Sequence, residues 1–146
     1  MTSESATDSQ DFQFLHTMLR VKDLDKSLGF YLDHLGMKLL RKIDFPSGKF
    51  TLAFIGYGGE NSHTVVELTH NWEQEETYDH GSAFGHLAIG VTGIDEVCAK
   101  MEKGGVSIPR PPGPMIHGGP VIAFVEDPDG YKIELIERSS WNPEAE

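Results

Sequence analysis

The chain has 146 residues, 38% of them hydrophobic, and a formal net charge of −11. That is the size of one domain, or of two small modules sharing a core. The acidic balance argues against nucleic acid or anionic lipid as the main partner. No apolar run approaches the roughly 20 residues needed to cross a bilayer.

In chain order, "MTSESATDSQD" (1–11) lacks the basic start and apolar stretch of a signal peptide and reads as a disordered acidic tail. "HTMLRV" (16–21) reads as a strand. Leu24, Leu28, Tyr31, Leu32 and Leu35 then fall on one helical face, with Asp23 as N-cap and Gly36 just past the end. "TLAFIGYG" (51–58) and "TVVELTH" (64–70) read as further strands. "HLAIGV" (86–91) begins a second series. Ile94, Val97, Cys98 and Met101 share a helical face, Thr92 is placed to cap it, and Gly104 and Gly105 stop it. Cys98, the single cysteine, is there a small core residue; it excludes an internal disulfide and fits a reducing cytoplasm. "VIAFVEDP" (121–128) and "YKIELIE" (131–137) follow as strands around an Asp-Pro-Asp-Gly turn, and residues 139–146 form a second tail.

These segments repeat. At an offset of 70, Leu52, Ala53 and Phe54 align with Ile122, Ala123 and Phe124, and His16 aligns with His86. Each half therefore reads strand, helix, strand, strand, strand, module one spanning about 14–72 and module two about 84–138 of a single 12–138 domain. A helix on one face of a mixed sheet, twice over, is an α+β architecture.

The repeat also duplicates an oddity. Glu67 in "VVELT" and Glu134 in "KIELI" are isolated carboxylates inside apolar strands. A single one would be a solvated-face residue, because strand side chains alternate. Two in matching strands, each with a histidine opening the module's first strand, imply two His–Glu pairs able to converge on one point. Two imidazoles and two carboxylates, without thiolate, suit Ni, Co, Fe, Mn or Zn. His34, His63, His70, His80 and His117 have no such repeat partners and read as structural or surface residues.

With these residues in hand, the chain resembles the glyoxalase I family of the vicinal-oxygen-chelate superfamily. The resemblance rests on "LHTMLRVKDLDKSLGFYLDHLGMKLLRK", "DFPSGKFTLAFIGYG", "VELTHNW", "FGHLAIGV" and "FVEDPDGYKIELIE", running from about Leu15 to Arg138. It implies paired βαβββ modules and metal ligands at His16, Glu67, His86 and Glu134. It further implies a homodimer with its sites between chains, and isomerisation of the methylglyoxal–glutathione hemithioacetal to S-lactoylglutathione. Glu134 is then the first candidate for the catalytic base, with Glu67 supporting the opposite face. The resemblance places Arg20, Asn71 and Arg110 at glutathione, which enters as co-substrate, and Phe45, Leu52 and Phe54 along the pocket. Histidine at position 16, with only "GGENSHT" (58–64) between strands, is similar to the compact bacterial members, which favours Ni²⁺ or Co²⁺ over Zn²⁺.

Two other functions compete. An Fe(II) dioxygenase of the same superfamily needs two histidines and one carboxylate, but Glu67 would occupy a position that chemistry wants open. A small-molecule-binding protein on this fold has no use for the duplicated pairs, and its crevice would stay metal-free.

Overall fold

The computed structural model describes residues 7–144. The expected amino-terminal tail lies partly outside these residues; within them, Ser9–Asp11 forms one exposed 3₁₀ turn capped by Asp8. Module one comprises β1 (His16–Arg20), α1 (Leu24–Leu28) with a π-helical continuation (Gly29–His34), β2 (Lys38–Phe45), β3 (Phe50–Gly56) and β4 (Val65–Asn71). Module two comprises β5 (His86–Val91), α2 (Ile94–Lys103), β6 (Ser107–Pro114), β7 (Val121–Glu126) and β8 (Lys132–Glu137).

Each module makes its own four-stranded sheet, ordered β1-β4-β3-β2 and β5-β8-β7-β6. First and last strands pair in parallel while the others are antiparallel. The architecture is the paired βαβββ arrangement of the α+β class.

Alternation sets the two faces of each sheet. Ala53, Ile55, Leu68, Ala123, Val125, Ile133 and Leu135 are fully buried, and they join Tyr31 and Phe30 with Ile94, Cys98 and Met101 of α2 in one core. Burial pushes the Cys98 thiol upward, as befits a packing residue. The two modules are tied together at the turn of residues 127–130. Asp127 accepts from the Tyr31 hydroxyl at 2.6 Å, and Asp129 accepts from Lys22 N at 2.9 Å and from the Ser27 hydroxyl at 3.3 Å. The Tyr131 hydroxyl donates to the Arg20 carbonyl at 2.8 Å.

Two helix expectations need correction. In module one Asp23 caps as expected and Gly36 adopts φ +69°, but the α-helix ends at Leu28. The wider π-helical turn beyond it buries the adjacent Phe30 and Tyr31 and leaves Leu28 and Leu32 half-buried. In module two Thr92 is not the cap. Gly93 holds the cap position at φ +78°, and Glu137, at the end of β8, accepts from Gly93 N and Ile94 N at 3.0 and 2.8 Å. Those bonds hold the Glu137 carboxyl below the usual range.

Candidate functional site

Glu67 and Glu134 occupy the sheet faces turned away from the core. In β4, Glu67 stands between Met18 of β1 and Phe54 of β3. In β8, Glu134 stands between Ala88 of β5 and Phe124 of β7. Because strand side chains alternate, His16 lies on the same face as Met18, and His86 on that of Ala88. His16 Nε2 is 3.0 Å from Glu67 Oε1, and His86 Nε2 is 3.2 Å from Glu134 Oε1. The glutamate side chains are only 14% and 16% exposed, against 35% and 42% for the histidines. Each imidazole also meets a phenylalanine edge-on: His16 to Phe54 at 5.5 Å and 79°, His86 to Phe124 at 5.3 Å and 78°. The sequence repeat is thus a geometric repeat of one His–Glu–Phe unit.

The four donors do not converge within one chain. Among the described residues no group of three or more His, Cys, Asp or Glu side chains is gathered as for a metal ion. Each His–Glu pair, or half-site, belongs to its own sheet, and within one chain the two stand apart. The donor chemistry nevertheless fits a divalent ion. Two donors at right angles on a cation, with bonds of about 2.1 Å, stand about 3.0 Å apart, close to both observed separations.

Arg20, on the face of His16 and Met18, is exposed at the far end of β1. Asn71, two alternations beyond Glu67, donates from Nδ2 to the Tyr78 hydroxyl at 3.3 Å. Phe45 stacks on Phe50 at 4.8 Å and 17° at the β2–β3 turn, and half-buried Leu52 continues the strip toward Phe54, 4% exposed. All five therefore share one face with His16 and Glu67. A cleft of about 320 Å³ runs beside Arg20, walled by Tyr78, His80, Phe84 and Tyr131. A larger one, about 570 Å³, contains none of the ten sequence candidates; it lies where Lys22 to Asp25 face Lys42, Asp44 and His70.

Arg110 behaves differently. Its register partner is Phe124, which places it beside the second half-site. Its guanidinium, however, donates to the carbonyls of Pro111, Gly113 and Ile122 from Nη1 and of Pro114 from Nη2, at 2.8–3.1 Å. In this structure it braces the proline-rich strand.

Two residues beside the first half-site escaped sequence reasoning. Arg41 pairs in register with Phe54 and lays its guanidinium 3.8 Å above that ring. Glu60 grips it in a fork, with Nε–Oε2 at 2.6 Å and Nη2–Oε1 at 3.0 Å, which holds the Glu60 carboxyl below its ordinary range. The repeat gave no signal for them: at the offset of 70 Arg41 aligns with Pro111, and its place opposite Phe54 follows a register shift in β2.

Comparison with known proteins places the whole fold. Residues 13–135 match the family model of the Glyoxalase/Bleomycin resistance protein/Dioxygenase superfamily. A probable lactoylglutathione lyase of Synechocystis is 64% identical over 126 residues, 86% of this chain and 95% of the relative. The trypanothione-dependent glyoxalase I of Leishmania major superposes with a TM-score of 0.77 at 49% identity, covering 88% of each chain. Glyoxalase I of Zea mays superposes with a TM-score of 0.82 at 46% identity, covering 86% of this chain but 44% of the maize chain, so this protein spans less than half the maize enzyme's length. Paired βαβββ modules, a duplicated His–Glu–Phe unit and a family match across both modules lead to one conclusion: this chain belongs to the Glyoxalase/Bleomycin resistance protein/Dioxygenase superfamily.

Proposed function

We propose that the protein is a lactoylglutathione lyase, a metal-dependent isomerase of the hemithioacetal that methylglyoxal forms with glutathione. Relatives at 53–64% identity over most of the chain bear that name. The observation that carries the proposal is the duplicated His–Glu pair, each carboxylate sheltered and each 3.0–3.2 Å from its imidazole. His16 and Glu67 of one protomer, joined by the His86–Glu134 pair of a second copy, would hold the ion, and the protein is then a homodimer in the cytoplasm. The donor set accepts several divalent ions; histidine at position 16 and the short connection of residues 58–64, as in the compact bacterial members, favour Ni²⁺ or Co²⁺, with Zn²⁺ second. A divalent metal held there would supply Lewis-acid stabilisation for the charge of the ene-diolate.

The chain's own residues do the rest. Glu134 removes the proton from the carbon bearing sulfur; the electrons of that C–H bond become the carbon–carbon π bond of the ene-diolate. The same carboxyl returns the proton to the neighbouring carbon. The hydroxyl proton passes from the first oxygen to the second, so a hydroxythioester forms with no atom gained or lost. Glu67 supports the opposite face. Arg20 and Asn71 receive the carboxylates and amides of glutathione, offsetting the chain's acidity locally, and Phe45, Leu52 and Phe54 form the apolar wall. Arg110 contributes to thiol binding only after releasing its carbonyls. The Fe(II) dioxygenase alternative is disfavoured because Glu67 repeats the geometry of Glu134 and leaves one position fewer open.

The test is the ultraviolet assay for thioester formation from methylglyoxal and glutathione, with metal-stripped protein and added Ni²⁺, Co²⁺ or Zn²⁺. Turnover restored chiefly by Ni²⁺ or Co²⁺ is expected. Reactivation chiefly by Zn²⁺ overturns the metal assignment. Turnover only with trypanothione in place of glutathione overturns the thiol, and no thioester with any metal or thiol overturns the enzyme.

A further inference from the structure

We infer that Arg41 and Glu60 form a positioning clamp for the His16–Glu67 half-site, one that the His86–Glu134 half-site lacks. The inference rests on the metal-dependent function proposed above and deepens it.

The geometry begins with Phe54. Its ring is 4% exposed and takes the edge of the His16 imidazole on one side. Arg41 lies over the same ring at 3.8 Å. A guanidinium over an aromatic face is attracted by the ring quadrupole, but a long side chain at a half-exposed position would not stay there on that attraction alone. Glu60 removes the freedom. Both of its oxygens are engaged, at 2.6 and 3.0 Å, and a two-point fork fixes the guanidinium plane in a way one contact does not. A register shift in β2 between Leu39 and Arg41 brings Arg41 opposite Phe54. The order of contacts is therefore Glu60, Arg41, Phe54, His16, Glu67, with rigid planar groups at its middle three positions.

Module two has the same last three members and not the first two. His86, Glu134 and Phe124 copy the unit within 0.2 Å in both the ion-pair and the ring spacing. Arg110, in register with Phe124, spends its guanidinium on four backbone carbonyls. One half-site is flanked on its own face by an ion pair and the other is not. A held imidazole and carboxylate act as standing ligands, whereas an unclamped carboxylate is left free to move a proton, which agrees with Glu134 as the base.

Charge and position predict different outcomes, and this makes the clamp testable. Were Arg41 and Glu60 acting only through charge, removing the cation would tighten a nearby divalent ion and removing the anion would loosen it. Were they acting as a clamp, losing either would loosen the ion, and losing both, a change of zero net charge, would loosen it as well.

The experiment titrates Co²⁺ into metal-free Arg41→Met, Glu60→Gln and the double variant. Affinity is read by competition with a chromophoric chelator, the visible absorption spectrum of bound Co²⁺ is recorded, and thermal unfolding without metal is followed in parallel. All three variants should bind Co²⁺ more weakly, by roughly 10-fold or more, the usual loss when a supporting partner of a metal ligand is removed. Their visible bands should move while the metal-free unfolding temperature stays near that of the parent. Opposite signs for the two single variants, or parental affinity and spectrum in the double variant, overturn the clamp while leaving the enzyme assignment intact. A parent protein that binds none of Co²⁺, Ni²⁺ and Zn²⁺ overturns the clamp and the metal-dependent function together.

Discussion

Replacing Tyr31 by Phe removes one hydroxyl from the seam between the modules and tests how far that seam depends on it. The ring is fully buried, and its hydroxyl donates to Asp127 Oδ2 at 2.6 Å. Burial and the neighbouring Asp127 carboxylate push the phenol far above its ordinary range, so it remains a donor at any working pH. Packing changes little in the variant, since the edge-on contact with Phe30 at 4.9 Å and 88° needs no hydroxyl. The lost bond therefore decides the outcome. Asp127 keeps backbone donors at Tyr131 N and Asp129 N, both at 2.9 Å, so its carboxylate is weakened rather than orphaned. A hydrogen bond to a charged group contributes about 1.5–3 kcal/mol, and at this chain length each kcal/mol moves the unfolding temperature by about 2–4 °C. The expected fall is about 3–12 °C for metal-free protein at neutral pH. Parent and variant must be compared at equal protomer concentration, because association adds to apparent stability. The turnover number at 25 °C should be unchanged, since Tyr31 lies on the core side of the sheets. A shift under 1 °C, or a fall in turnover without loss of stability, would show that the seam does not depend on this bond.

Asp127→Asn tests the same seam by pH. Desolvation raises the Asp127 carboxyl above its ordinary value despite the bonds from Tyr31, Tyr131 and Asp129. A raised folded-state value means that its stabilising contribution is complete below about pH 3.9, the unfolded value, and is lost as pH rises through the folded one. Asn cannot titrate and keeps an acceptor for the two backbone donors, so its urea midpoint should gain on the parent as pH increases from 3.5 to 7; a gain on acidification instead rejects the sign. Glu134→Gln keeps an oxygen donor but cannot accept a proton, and turnover at saturating Ni²⁺ should drop roughly 10²–10⁴-fold; near-normal turnover at full metal occupancy would move the base to Glu67. Arg110→Met should increase amide exchange along Ser107–Pro114 and raise the Michaelis constant for the thiol, whereas added exchange with an unchanged constant leaves Arg110 a brace of the strand and not a thiol contact. Sedimentation should give a dimer, and a fully active monomer would contradict sites built from two half-sites.

What was legible in the sequence was whatever the chain states twice or states locally. The βαβββ order followed from period and punctuation, and the strand ends at Val65–Asn71 and Lys132–Glu137 fall within one residue of those read from pattern alone. Asp23 and Gly36 act through neighbours in sequence, so short-range chemistry sufficed for both. The His–Glu pairs were found because duplication exposed them; neither glutamate alone could be told from a solvated strand residue.

The unread features all depend on partners far along the chain. α2 is capped by Glu137, some forty residues downstream, because Gly93 offers no side chain. The π-helical turn after Leu28 buries Phe30 beside Tyr31, and the Tyr31 hydroxyl meets Asp127 96 residues away, a demand invisible to helical periodicity. Arg41 and Arg110 show the limit most sharply. They face equivalent phenylalanines on equivalent strands, yet one is drawn outward by Glu60 and the other inward by the carbonyls of a proline-rich strand. Proline supplies no N–H, so Pro111, Pro112 and Pro114 leave that strand short of its own donors, and an arginine fills the deficit. β2 of module one contains no proline to make such a demand and leaves Arg41 available for the half-site. Two copies of one module can therefore hold the same donors in the same geometry and still differ in what is packed beside them, an arginine clasped by a carboxylate in one and an arginine spent on backbone carbonyls in the other.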